Sequence, residues 1–312
     1  MAAKSSSKAD ARRYSLLARC LSGPVLRQLS QHGTSPYLAA AFQETGLQQE
    51  LGDNATILEA TKSIFAGMRR HYRSDYVYRV AIANKLFLGR HSPATTTFLS
   101  ELRVGESRAD IAMLNGTSTV YEIKTELDNL DRLGSQLDDY SRMFDRTYVV
   151  THDDEVESLL SMVNSSVGII VLTREFTLRT VREAESNAMF VDIPTIIGAL
   201  RSAEVAEITK ALTGAVPKVG NVNLVAACTK LLLKFSPERV HDRMLATLKK
   251  RRKFEAYDFV GVPPELVPAY LDTGLRPRHW MPLTEILTRQ TIKDVVDGKN
   301  GHLLSVSEGQ GK

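Results

Sequence analysis

Three ionisable residues interrupt two short apolar runs. Asp110 stands in SRADIAML, residues 107 to 114, and Glu122 and Lys124 stand in STVYEIK, residues 118 to 124. Side chains alternate along a strand, so Val120, Glu122 and Lys124 share one face while Tyr121 and Ile123 take the other. Ala109, Ile111 and Met113 form an apolar face in the same way, with Arg108 and Asp110 opposite. Pairing of the two runs through an NGTS hairpin brings Asp110 toward Glu122. In the preceding run, TFLSELRV, Leu99, Glu101 and Arg103 alternate against Phe98, Leu102 and Val104, so Glu101 can join from a third strand.

Carboxylates that converge in a partly buried place repel one another, and a divalent cation removes the conflict. Mg²⁺ takes hard oxygen ligands, commonly one or two carboxylates with phosphate oxygens and water, which suits Asp110 and Glu122, with Glu101 auxiliary; Mn²⁺ would fit as well. Such an ion acidifies bound water and offsets charge in phosphoryl chemistry. The Lys124 ammonium, two residues beyond Glu122, can then contact the attacking water or a phosphate. The plainer alternative for Asp110 is an ion pair with Arg108 or Lys124 in an ordinary sheet.

These residues need a scaffold. Residues 97–104, 107–114, 118–124, 147–151 and 167–173 read as strands, with helices at 129–145 and about 154–163 between the later ones. A helix from about Ser74 to Gly89 precedes them. The order implies an α/β fold with a mixed central sheet. Residues 1–13 are Ser, Lys and Ala rich and read as unstructured. Residues 14–74 read as a helical N-terminal region, 75–182 as the core and 183–312 as a helical C-terminal region with a loop-rich end. Within the last, DIPTIIGALRSAEVAEITKAL reads as one long helix after Pro194.

The constellation resembles the PD-(D/E)XK nuclease superfamily, with Asp110 as its first Asp and Glu122-Ile123-Lys124 as its E-x-K. The string ESRADIAMLNG…YEIKTELDNLDRLGSQLDDYSRMF is similar to an uncharacterised bacterial and phage-associated family in it, whose pattern is RADIA, EIKS-x-x-D and R-L-x-x-Q-x-x-x-Y. Thr125 replaces the frequent Ser. The resemblance runs over roughly residues 75 to 175 and implies an αβββαβ core. It further implies a metal-dependent nuclease acting on phosphodiester bonds, DNA above all, with a link to phage defence or mobile elements. It implies an upstream acid, Glu101 first and Glu106 second, and a Gln on the following helix, Gln136.

The helix supports the same picture physically. Leu130, Leu133, Leu137, Tyr140 and Phe144 form a stripe, Asp128 or Asn129 is placed to cap it, and Gln136 and Tyr140 are i,i+4 neighbours beside the stripe. Tyr140 is as well suited to the core as to bonding a phosphate. The alternative for the whole is a non-catalytic nucleic-acid-binding or regulatory module on the same fold.

Other features are less specific. The net charge of +4 suits a polyanionic partner without requiring one. The run Lys249, Lys250, Arg251, Arg252, Lys253 could meet phosphates, or be a solvated face at a helix C-terminus. In THDDE, Asp153 or Asp154 is expected to cap a helix, with His152 solvated. Cys20 and Cys228 lack metal-ligand spacing and read as buried small residues in a reducing, cytoplasmic compartment. The first residues lack an apolar signal core, and the longest apolar runs are too short to cross a bilayer. The helical flanks offer surface to a second copy or a protein partner.

Overall fold

A computed structural model describes residues 2–251, 254–275 and 277–298. Helices α1 (Ala2–Ala18), α2 (Gly23–His32), α3 (Pro36–Glu44), α4 (Leu47–Leu51), α5 (Ile57–His71) and α6 (Asp75–Ile82) come first, and a π-helical segment, Ala83–Leu88, follows. Strands β1 (Thr97–Val104), β2 (Ser107–Leu114) and β3 (Ser118–Ile123) lead to α7 (Leu133–Ser141), β4 (Arg146–Thr151), α8 (Val156–Met162), β5 (Gly168–Leu172) and β6 (Leu178–Arg182). Next are α9 (Ile193–Gly198), α10 (Ser202–Thr213), α11 (Asn221–Leu232) and α12 (Pro237–Leu248). The described residues close with α13 (Val267–Thr273), α14 (Pro277–Arg289) and α15 (Ile292–Val296).

The described residues form two compact units, one running up to residue 84 and resuming at 257, the other between 85 and 256. This division corrects the expected boundaries. In the first unit α2 packs on α13 and α14, α3 on α15 and α5 on α14. Backbone bonds from Ile57 N to Gln290 O, and from Ile292 N to Ala55 O, stitch the distant segments together. The early helices have apolar faces that their own neighbours do not cover, and the returning segment supplies the missing surface. The lead expected to be unstructured belongs to α1, which packs on α5. The frayed end expected for the last dozen residues lies outside the described residues.

The second unit is a mixed α/β arrangement with a six-stranded sheet in the order β1-β2-β3-β4-β5-β6. Neighbours β1–β2, β2–β3 and β5–β6 run antiparallel, and β3–β4 and β4–β5 run parallel. Strand β6 had no reading in the sequence. It is a polar edge strand, LRTVR, whose side chains are not fully buried, so hydrophobic alternation does not mark it. The expected long helix after Pro194 is two helices, because Glu204 Oε2 accepts from Arg201 N at 2.7 Å and starts α10 afresh.

One core serves the sheet and the helices behind it. Val120, Val149 and Ile169 meet Leu133, Leu137, Tyr140 and Phe144, then Ile196 and Ile197 of α9, and beyond them Val205, Ile208, Leu232, Val240 and Met244. Residues up to 256 therefore belong with the sheet and not with a separate C-terminal region. Leu99 with Leu102 and Val104, and Ala109 with Ala112 and Leu114, also lie in this core. Strict alternation forbids such sets. The phase of β1 changes at Glu101, whose φ of 55° is left-handed. The apolar faces expected for β1 and β2 thus hold for half of each strand.

Candidate active site

The register sets the site. Ile111 faces Tyr121 across β2–β3, so Asp110 and Glu122 occupy the next opposed positions. Ser100 faces Ile111 and Leu102 faces Ala109 across β1–β2, so Glu101 lies opposite Asp110. Glu101, Asp110 and Glu122 therefore form one row over three adjacent strands, and Val149 pairs with Glu122 on the fourth. Strand β3 ends at Ile123, but Lys124 N donates to Val150 O at 2.9 Å, which keeps Lys124 in line with the sheet.

Glu122 is only 2% exposed and is fully engaged. Its Oε1 accepts from Lys124 Nζ at 2.9 Å, and its Oε2 accepts from the Tyr140 hydroxyl at 2.7 Å. The Tyr140 oxygen is also 2.9 Å from the Arg108 carbonyl. One O–H hydrogen serves one acceptor at a time, and the carboxylate is the stronger. Lys124, 9% exposed, donates a second bond to Gln136 Oε1 at 2.9 Å. One turn of α7 thus holds both strand residues, as the i,i+4 spacing of Gln136 and Tyr140 requires. Burial, and then the charge of Glu122, push the Tyr140 hydroxyl well above its ordinary range, so it stays a donor. Tyr140 is fully buried, so of the two roles open to it the structure shows the core one, with its hydroxyl held on Glu122.

Asp110 is half-buried and makes no use of the expected ion pairs. Its Oδ2 accepts from Ile123 N at 2.7 Å, a strand N–H just beyond the last regular rung. Burial and the nearby Glu122 raise its pKa from 3.8 to about 7, with Glu101 adding to the rise and the Ile123 bond and Lys124 opposing it. Arg108 turns instead to Glu101, 3.8 Å away, and both are exposed. Glu106, the second choice, is exposed and lies 4.0 Å from Arg103.

The three carboxylates lie in one row, with Glu122 and Glu101 both acting on Asp110. Among the described residues no group of three or more His, Cys, Asp or Glu gathers tightly enough to hold a metal as it stands. Asp110 and Glu122 still fit a hard cation. They offer carboxylate oxygens on adjacent strands, and burial first and the charge of Glu122 second raise the pKa of Asp110, a cost that a bound cation would relieve.

Other expected residues fall elsewhere. Asp128 does not cap α7; its Oδ2 accepts from Thr125 N at 2.9 Å and from Thr125 Oγ1 at 2.8 Å, closing the turn that leaves Lys124. Asp153 caps no helix and binds Arg179 at 2.6 Å. Lys250 is bonded to Glu207 at 2.6 Å, and Arg251 grips Glu204 through two bonds of 2.6 Å. Those two cations are engaged within the fold, Lys249 is half-buried, and Arg252 and Lys253 lie outside the described residues. Cys20 and Cys228 are buried and are not joined in a disulfide. Among the described residues no helix is long and apolar enough to cross a membrane.

Two groups at the end of β4 escaped the sequence reading. Thr151 Oγ1 and His152 Nδ1 are buried without a hydrogen-bond partner among the described residues, and His152 as a whole is half-buried where a solvated residue was expected. Thr151 follows Val149 on the same strand face, one rung beyond the Ile123–Val150 pair and so beside Lys124. TYVVT shows only an apolar strand end and carries no sign of this. Ser118 Oγ and His241 Nε2 meet at 2.7 Å, but both are buried and tie β3 to α12.

The fold and site define a mixed α/β protein with flanking helices and a carboxylate–lysine cluster on one sheet face. The chain belongs to the bacteriophage P4 protein cII family, whose pattern matches residues 68–263. It is 32% identical over 76 residues to protein cII of Enterobacteria phage P4, an alignment spanning 24% of this chain and 29% of that relative. A solved structure, the SPO1766 protein of unknown function from Silicibacter pomeroyi, is similar at 14% identity. It covers 45% of this chain and 94% of its own, with a TM-score of 0.30.

Proposed function

We propose that residues 85–256 form a divalent-metal-dependent nuclease with a PD-(D/E)XK-like core, hydrolysing phosphodiester bonds, most readily in DNA. The observation that carries this reading is the opposed pair Asp110 and Glu122, with Lys124 locked between Glu122 and Gln136. Asp110 and Glu122 would hold Mg²⁺ or Mn²⁺, with Glu101, opposite Asp110 on β1, as the auxiliary carboxylate. The bound ion would acidify water and offset phosphate charge. Lys124 has three donors, two of which are bonded to Glu122 and Gln136, so the third can meet a phosphoryl oxygen or the attacking water. Tyr140 and Gln136 fix that direction. Thr151, with its hydroxyl buried and unpaired, adds a polar group beside Lys124.

One observation favours a second reading. Glu122 is already neutralised by Lys124 and bonded by the Tyr140 hydroxyl, as a sheet that only binds a partner would require. The family's phage membership is compatible with either reading, and a role in phage or mobile-element biology belongs with the proposal. The test is cleavage of supercoiled plasmid, linear duplex and single-stranded DNA by wild type and Lys124→Ala, with Mg²⁺, Mn²⁺ or EDTA. Metal-dependent cutting by wild type, lost in the variant, supports the nuclease. Binding in EDTA without cutting in either metal supports the non-catalytic module.

A further inference from the structure

The face of the sheet opposite the carboxylates carries a second built site. Tyr121 and Tyr148 are directly paired across β3–β4, and their rings stack at 5.6 Å and 15°. Alternation puts them on the face away from Glu122 and Val149. Tyr148 is held at both ends. Its ring lies over Gly168, where a Cβ would come within 2.3 Å of it, and its hydroxyl donates to Glu183 Oε2 at 2.5 Å.

This pair floors a cavity of about 360 Å³. Two exposed cations stand on the rim, Lys85 from the π-helical segment and Arg90 just after it. Lys85 Nζ lies 5.5 Å over the ring of Phe176, which turns the chain between β5 and β6 with a left-handed φ of 65°. A π-helical turn and a non-glycine left-handed residue are both costly local conformations, and such features concentrate where a ligand is handled. The remaining lining is mixed, with the exposed residues Thr177 and Thr180 and the Glu183 carboxylate set among Leu86, Ile170 and Leu178.

We propose that this cavity binds a nucleotide, with its base against the tyrosine pair and its phosphate at Lys85 and Arg90. Its volume is in the range of small-ligand sites. Aromatic side chains accept any base face, and Lys and Arg supply the charge-assisted bonds a phosphate takes. The Glu183 carboxylate can only accept, so it favours the bases richer in donors on this edge, adenine and cytosine with a two-hydrogen amino group over uracil and thymine with a single imide N–H flanked by carbonyl oxygens. The chemistry is the same for a free nucleotide and for a nucleotide within a single strand.

The test is calorimetric titration of the full chain in EDTA, where no metal-dependent cutting takes place, so the result stands apart from the nuclease reading. The probes are AMP, UMP, adenosine, inorganic phosphate and an eight-residue oligoadenylate. Saturable AMP binding is expected, tighter than UMP, adenosine or phosphate. It should weaken at least tenfold in Lys85→Gln/Arg90→Gln, two surface changes that leave the Tm unchanged. Tighter binding of the oligoadenylate than of AMP identifies the strand as the source, and the reverse identifies the free nucleotide; the proposal holds in both cases. It is overturned by the lack of saturable AMP binding at millimolar concentration, by phosphate binding as tightly as AMP, or by equal affinity in the double variant.

Discussion

Lys124 Nζ lies 2.9 Å from Glu122 Oε1, two residues back on the same sheet face, and both side chains are buried. Removing one member leaves the other charged, desolvated and only partly bonded. Lys124→Ala should cost about 3 kcal/mol of stability, in the range for breaking a buried pair. The double variant Glu122→Gln/Lys124→Met should recover most of that loss while staying inactive. Urea unfolding of the three proteins checks both statements, and equal midpoints for wild type and Lys124→Ala would contradict the pairing.

Asp110 has a folded pKa of about 7 against 3.8 in the unfolded chain. The unfolded carboxyl therefore releases its proton first, and the folded state is favoured by protonation. This contribution is fully present below pH 3.8 and is lost as pH rises through about 7. Asp110→Asn keeps an oxygen for the Ile123 N–H and carries no charge. It should match wild type in stability near pH 3.5 and be the more stable of the two at pH 8, by roughly 1–3 kcal/mol. Thermal unfolding across that range reads the difference directly.

The same burden predicts a metal effect. At pH 8, Mg²⁺ or Mn²⁺ should raise the Tm of wild type, and EDTA should reverse the rise, because binding to the folded state alone stabilises it by mass action. Asp110→Asn should lose most of the response. A Tm unmoved by either ion at millimolar concentration would speak against a cation at Asp110 and Glu122.

Tyr140→Phe tests positioning separately from packing. The ring keeps its edge-on contact with Phe144, 6.4 Å between centroids, while Glu122 loses a bond. A stability cost of about 1–2 kcal/mol is expected from an unsatisfied buried acceptor. If cleavage is observed, kcat should fall with KM nearly unchanged, since Tyr140 has no exposed surface to offer a substrate.

Glu101 combines a left-handed backbone with a position opposite Asp110. Glu101→Gly should relieve about 1 kcal/mol of strain, visible as a raised Tm. A simultaneous loss of metal-dependent cleavage would assign the carboxylate to the site, and unchanged cleavage would leave it a structural partner of Arg108.

Much of this site was legible because its logic is local. Period-two alternation places Glu122 and Lys124 on one face, and a tight hairpin at Asn115 and Gly116 sets Asp110 against Glu122. The bounds of β1 and β2 agree with the apolar runs residue for residue. The i,i+4 relation on α7 likewise brings Gln136 and Tyr140 together, and only the roles remained to be assigned. Tertiary structure decided the rest, by competition for partners far apart in sequence. Asp110 bonds the Ile123 N–H because the regular β2–β3 rungs end at Ile111 and Tyr121, and Arg108 goes to Glu101. Glu204 and Glu207 engage Arg251 and Lys250, cations that look available in a linear string. The left-handed turn of β1 at Glu101 and the return of α13 to α15 onto α2, α3 and α5 are choices of the whole core. Side-chain periodicity reports which face is buried, but what buries it depends on which surfaces the folded chain leaves in need of cover.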